Sequence, residues 1–558
     1  MKIRRARLLA ALALLATLVA VLAFQAVRGP AAAASRARAR LENTRRLWTA
    51  SLVAVANPSS SYAAVKVPGG ARWVELLASA GVPVPALAAG EQGLDLGGYR
   101  LVVVALPAQA DALAGQGKAV VLLDMDSRGE PAGSAGGVPS RESMGTLSGF
   151  PYRSAQLQTA AIRWKDLRLP LAGASVHPLN LAEGERPWLQ SEDGQAVAAW
   201  RKSGGGIVLR LGFDLAAWLY ALRQGDPGRA GQDSDHNGTV QPIDLLPALA
   251  PELLERPFAD EIIDDLLATL EAGLACPLPR TVGLPAGRPT VVLTSDQDYV
   301  DDGFVLHMAD VLEKNSFTAT FMLTHRGLGA PPDLNLGANK PATLALDTVT
   351  ELLAAGHGLG VHPSLRTIDD IGRVTEAIAE QTASRPLVAR NHWARWPGYL
   401  EVPAAEARAG IAMDLNFLRV CSAGPCAGFL GGAARPVRFV DQEGVALPIL
   451  QQPTAVDDAS LRTQSPAEAM IAAGVLGDRI AQLLPRASAV QAPLVINAHP
   501  VYFPIASDWL KPLVAANVQV ISAEQWLDFL ARRRLSRISS PSCAAGPILG
   551  LQPGVVLR

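Results

Sequence analysis

Short β-branched apolar runs alternate along this chain with stretches whose apolar residues recur three and four apart. In its first half, SLVAVANPSSSYAAV (51–65) reads as a strand running into a polar loop. ARWVELLASAGVPV (71–84) has helical spacing and ends at Gly81, and YRLVVVALP (99–107) and AVVLLDMD (119–126) are continuous apolar runs of buried-strand type. GGGIVLRLGFDLAAWL (204–219) closes the region with a strand and a helix. Strands alternating with helices predict a parallel sheet covered on both faces, here a doubly wound α/β domain over residues 48–225.

A second series begins after the amphipathic stretch ADEIIDDLLATLEAGL (259–274) and the Pro/Gly-rich linker CPLPRTVGLPAGRP (276–289). Its strand candidates are TVVLTSD, FTATFMLT, GLGVHPS, PLVARNH, GIAMDLNF, VRFVD, ALPILQQP, PLVINAHP and VQVIS. Helical stretches such as 375–383 and 466–484 separate them, and SAEQ (522–525) has the Ser and Gln of a capping box opening a last helix. Repeated strand–helix units over residues 288–535 predict a distorted, incomplete (β/α) barrel. A Ser/Pro/Gly-rich tail, 536–558, reads as peripheral. The order of elements in the first domain resembles the flavodoxin-like sheet of class I glutamine amidotransferases. No cysteine precedes Cys276, so the nucleophile of that family is absent and the domain reads as a binding or scaffolding module.

Composition changes this picture little: apolar content is 49%, and a net charge of −1 leaves no basic excess for general nucleic-acid binding. The first residues, MKIRRAR, are cationic, and residues 8–27 that follow carry no charge. That length spans a bilayer core, so residues 1–30 are a membrane anchor or, given the small residues of PAAAAS (30–35), a cleaved signal. Either way the body of the protein is expected on the extracytoplasmic, periplasmic side. Four cysteines permit disulfides: Cys421 and Cys426 are close enough in sequence to bridge a short loop, and Cys276 and Cys543 flank the second domain.

Between the domains, in the connector 226–287, DSDHNGTVQPID (233–244) has the spacing of a calcium loop. Asp233, Asp235, Asn237, Thr239 and Asp244 are its oxygen donors, and Gly238 stands at the sharp turn. Pro242 and the aspartate at the last position depart from that pattern, and the role expected of a bound Ca2+ is structural.

The strongest chemical signal lies at the ends of the second-domain strands. Asp296 and Asp298 close an apolar run, and acids at the mouth of a buried strand must be paired, hydrogen-bonded or metal-bound. His362, Arg390 with His392, and His499 stand at the ends of later strands, and strand ends of one parallel sheet converge on one face. Asp414 ends another strand and is a candidate for substrate binding or loop capping. Trp393 is a candidate sugar-stacking platform.

Together LTSDQD, GHGLGVHPS, RNHW, INAHP and the closing VQVISAEQWLDFLARRR resemble the polysaccharide deacetylase superfamily, carbohydrate esterase family 4 and its relatives, over residues 288–534. The resemblance implies a metal-dependent hydrolase that removes acetyl groups from an N-acetylated glycan, with Asp296 as base, His499 as acid and Arg390 orienting Asp296. Asp298 and His362 would be ligands of a divalent ion, Zn2+ first among them. Two departures stand out. Gln297 separates the two aspartates, and Arg366 stands where the family has a second histidine. His392, on the next strand end, is read as the replacement ligand. A catalytically silent glycan-binding or scaffold protein on the same barrel is the competing reading.

Overall fold

The computed structural model describes residues 29–54, 63–67, 70–82, 84, 99–105, 107–124, 161–172, 174–298, 300–325, 344–419, 426–461, 465–539 and 548–557. Two sheets organise it. The first holds β1 (Ala63–Lys66), β2 (Leu101–Val104), β3 (Ala119–Leu123), β4 (Ala161–Trp164), β5 (Leu167–Pro170), β6 (Arg186–Ser191), β7 (Ala196–Ser203) and β8 (Gly206–Leu211) in the order β1-β2-β3-β8-β7-β6-β4-β5. The runs of apolar residues in β2 and β3 are buried along their whole length, as parallel central strands require.

The doubly wound expectation is corrected here. Strands β1, β2, β3 and β8 are parallel, but among the described residues they follow one another in a single direction, without the reversal that defines a doubly wound sheet. The other half, from β8 through β7, β6 and β4 to β5, is antiparallel. Strands β4 to β7 carry Arg, Lys or Gln among their apolar residues and are partly exposed, which hides them from a search for continuous apolar runs. Residues 51–54 end a helix, Pro30–Ala54, and are not a strand.

The second sheet holds β9 (Thr290–Asp296), β10 (Thr320–Leu323), β11 (Gly358–Val361), β12 (Val388–Ala389), β13 (Met413–Asp414), β14 (Cys426–Ala427), β15 (Val437–Val440), β16 (Ala446–Gln451), β17 (Val456–Asp457), β18 (Leu494–Ala498) and β19 (Gln519–Ile521). Its order is β14-β17-β18-β9-β10-β11-β12-β13-β16-β15, with β19 also on β9. From β17 to β16 every pairing is parallel; β14 and β15 are antiparallel edges that do not pair with each other, so the barrel is open among the described residues. The interior is filled from below by the helix Ala523–Leu535. Trp526, Leu527 and Leu530 share a buried cluster with Val292, Met322, Met413 and Val495 from the strands. Gly360 is required by this packing, since a Cβ there would lie 2.2 Å from the Met322 sulfur.

The parts are tightly joined. Glu75, on the helix Ala71–Ser79, is buried between Arg438 of β15 and Arg534 of the last helix. Val437 and Val440 belong to the core of the first sheet. The tail is likewise not peripheral: Ile538 and Val555 are buried, and Val282 donates its amide to the Val556 carbonyl. Cys276 is disulfide-bonded. Cys421, Cys543 and the apolar segment 8–27 lie outside the described residues; among those described, no helix is long and apolar enough to cross a membrane.

Candidate metal and proton-transfer site

Parallel register brings the site together. Each strand end donates one more amide to its neighbour: His362 to Leu323, Arg390 to Val361, and Leu415 to Ala389. His362 and Arg390 are thereby adjacent one step beyond the paired residues Val361 and Ala389. On β9 the acids are separated by Gln297, whose side chain turns inward. Its Oε1 accepts from the Thr324 amide (3.1 Å) and hydroxyl (2.8 Å). Asp298 follows in the left-handed region at φ 47°, a conformation that costs a non-glycine residue free energy and clusters at functional sites. Tucking Gln297 away and turning Asp298 back puts both carboxylates beside one imidazole. Asp298 Oδ1 is 3.0 Å from His362 Nε2, and Asp296 Oδ1 is 3.7 Å from His362 Nδ1.

Asp298 is the hub. Besides His362, it has His392 Nε2 3.7 Å from Oδ1 and His499 Nε2 3.3 Å from Oδ2. The His362 and His392 rings are edge-to-face neighbours, with centroids 5.3 Å apart. One donor atom from each of Asp298, His362 and His392 can lie within 4.8 Å of the others. The donor set fits a divalent ion on chemical grounds. His362 Nδ1 donates to the Arg390 carbonyl at 2.8 Å and His392 Nδ1 faces the Ser364 hydroxyl at 3.1 Å, so both rings turn Nε2 toward the Asp298 carboxylate. Arg366, the residue at the expected histidine position, points away to Asp370.

Asp296 is buried and doubly held. Arg390 donates to its Oδ1 at 3.0 Å and Asn497 Nδ2 to its Oδ2 at 2.9 Å. Burial alone would raise this carboxyl, but the Arg390 guanidinium, with His362 and His499, outweighs it and keeps it below the ordinary range. The same balance, led by burial upward and reversed by His499 and His362, holds Asp298 low. His499 takes the opposite direction. Burial disfavours its charge, but Asp458, 2.5 Å from Nδ1, and Asp298 push it well above the usual imidazole value. Burial with His362 nearby depresses His392 to about 4, so that ring is neutral at pH 7, as a ligand must be.

Three residues of this cluster escape a reading of strand ends. Asp458 orients His499 through Nδ1 and also accepts its amide at 2.9 Å. Asn497 bridges Asp296 and Asp457, and Thr294 accepts from Arg390 at 2.9 Å. The signal for Asp458 was available in TAVDDAS, where two acids follow a short apolar pair. That strand, β17, has only two residues and leaves no periodic trace.

Two sequence candidates separate here. Trp393 is 47% exposed next to His392, whereas Trp396 is core. Asp414 is corrected as a substrate-binding residue: it is fully buried, bonded to Asn416, and burial pushes its carboxyl up to about 7. His357, at the opposite end of β11, accepts from the Ala319 amide and is structural.

A second cluster lies in the connector. Asp233, Asp235 and Asp244 can each place an oxygen within 4.8 Å of the others. Asp233 accepts from the Asn237 and Gly238 amides, Asn237 Oδ1 from the Thr239 amide, and buried Asp244 from the Ser234 and Gln241 amides. Pro242 opens a single-turn helix, Pro242–Leu245, in place of a long exiting helix.

No protein-family model matches the chain, and no curated protein matches it. Solved structures that resemble it include a CE4 family pseudoenzyme from Bacillus anthracis, 13% identical over 43% of this chain and 66% of that one, with a TM-score of 0.27. The catalytic domain of a peptidoglycan N-acetylglucosamine deacetylase from Eubacterium rectale is 13% identical over 42% of this chain and 88% of that one, TM-score 0.24. A Streptococcus mutans CE4 esterase is 13% identical over 42% of this chain and 85% of that one, TM-score 0.25. Likeness of this degree carries no argument about chemistry, which rests on the residues themselves.

Proposed function

We propose that the chain is a metal-dependent deacetylase acting on an N-acetylated extracytoplasmic glycan, held at or released from the inner membrane by its N-terminal segment. The observation that carries the reading is the Asp298 carboxylate ringed by His362, His392 and His499, with the ion-paired Asp296 alongside. Asp298, His362 and His392 would hold the divalent ion, Zn2+ by donor type. When bound, such an ion supplies Lewis-acid polarisation of an acetyl carbonyl.

The proton work belongs to the chain. Asp296, kept ionised by Arg390, accepts a proton from the attacking water. His499, kept protonated by Asp458, delivers one to the leaving amine, which departs poorly as an anion. Exposed Trp393 offers a face to a sugar ring. The connector cluster is proposed to hold Ca2+ in a structural role.

Acetate release from N-acetylated oligosaccharides, measured with and without a chelator, is the test. The wild type should release acetate and lose activity on chelation. Asp296→Asn should retain metal and fold but fall by roughly a hundredfold or more, the scale of a lost general base. Glycan binding without acetate release from any substrate would replace the enzyme by a silent binding protein.

A further inference from the structure

The turn that carries His392 is unusual for its backbone. Trp393 and Ala394 are consecutive non-glycine residues at φ 60° and 48°. Such conformations persist only where the surroundings over-determine them. The barrel secures one side, through the His392 amide to the Pro363 carbonyl at 3.0 Å and the Ala394 amide to the Asn391 carbonyl at 2.7 Å.

The other side is secured by the connector that precedes the barrel. Gln241 is 1% exposed, and its Nε2 donates to the Trp393 carbonyl at 2.7 Å. The adjacent Val240 carbonyl accepts the Trp396 amide at 2.8 Å. The Gln241 amide group is itself held: its Oε1 accepts from Asn237 Nδ2 at 3.0 Å, and its backbone N–H donates to Asp244 at 2.8 Å. Gln224 adds a bond from Nε2 to the Tyr399 hydroxyl at 2.7 Å, on the same segment. A buried amide donor that reaches 152 residues along the chain to the carbonyl of a strained residue ties the connector to that turn.

We propose that Gln241 is a positioning residue for His392, so that the connector between the domains, and not the barrel alone, sets the third ligand of the site. The inference rests on the metal-site reading above for its consequence, though not for its geometry. Gln241 touches neither substrate nor ligand atoms; it acts by fixing the turn at Trp393, and through it the approach of the His392 ring to Asp298.

The full-length protein and its Gln241→Met variant, which keeps the side-chain length and removes the donor, are titrated with Zn2+ by calorimetry. Gln241→Glu serves if the methionine variant does not fold. Zn2+ affinity should fall by roughly tenfold or more, the range for outer-shell partners of metal ligands. In a His392→Ala background the same change should cost nothing further, because the effect passes through His392. Amide hydrogen exchange over 392–396 should quicken in the variant with or without metal. Unchanged Zn2+ affinity, an equal added loss in the His392→Ala background, or unchanged exchange would overturn the proposal. A wild type that binds no Zn2+ would sink the metal reading itself, and the exchange comparison would then decide the role of Gln241.

Discussion

At the scale of single residues, the site is a set of charges that define one another's protonation. Asp458 is fully buried, and burial raises its carboxyl to about 6, so at neutral pH it remains ionised against His499. His499 is raised, so its proton-bearing form is present at low and neutral pH and is lost as pH rises through its elevated value. Asp458→Asn removes the nearest anion, and the basic limb of the kcat–pH profile should move to lower pH. A profile with its basic limb unmoved would show that His499 does not deliver the proton. Asp296, Asp298, His362, Arg390, His392 and His499 were all legible as polar residues closing apolar runs. Asp414 reads identically in sequence, yet it is packed against Asn416 inside the fold. Which way a strand-end side chain faces depends on curvature and on its neighbours, and no single run contains that information.

Among elements, the long parallel strands and their helices followed from apolar spacing. The capping box at Ser522 is formed: its hydroxyl accepts from the Gln525 amide at 3.3 Å and Gln525 Oε1 accepts from the Ser522 amide at 3.1 Å. The connector loop has a second feature besides its reach to Trp393, a cluster of acids of its own. Its Asp233, Asp235 and Asp244 cluster predicts that calcium raises the melting temperature by mass action and that Asp233→Ala abolishes the rise. Equal melting temperatures in calcium and in chelator, followed by differential scanning calorimetry, would remove the ion from this loop. Strands β4 to β7 were invisible, because they are short, four to eight residues, partly exposed, and interrupted by charged or amide side chains.

For the whole molecule, the junction of the two sheets is decided by Glu75. Burial opposes its charge, but Arg534 and Arg438 overcome this and draw its carboxyl down from 4.5 to about 2. A depressed carboxylate contributes stability that is present above its unfolded value and lost as pH falls from about 4.5 toward about 2. Glu75→Ala leaves two partly buried guanidiniums without this carboxylate and should cost about 1–3 kcal/mol in urea unfolding. The variant should also lose that part of the acid dependence. A change below about 0.5 kcal/mol, the scale of ordinary surface substitutions, would mean the domains do not depend on this pair. The same junction argues that residues 288–535 are not an independent unit, since Val437 and Val440 are buried in the other core and Trp48 of the first helix packs with the last.

The sequence by itself determined the α/β class, the two series of strands, the connector loop and nearly all the polar groups of the site, because each is written in local spacing and residue chemistry. Tertiary structure alone decided the single winding of the first sheet and its antiparallel half, the burial of Asp414, the recruitment of Asp458 and Asn497, and the bracing of His392 by Gln241. These depend on contacts between residues tens to hundreds of positions apart, such as 152 for Gln241 and Trp393 and 41 for Asp458 and His499. The displaced acid shows both at work: Gln297 is plain in the sequence, but only its bonds to Thr324 on the neighbouring strand explain how Asp298 turns back to meet three imidazoles.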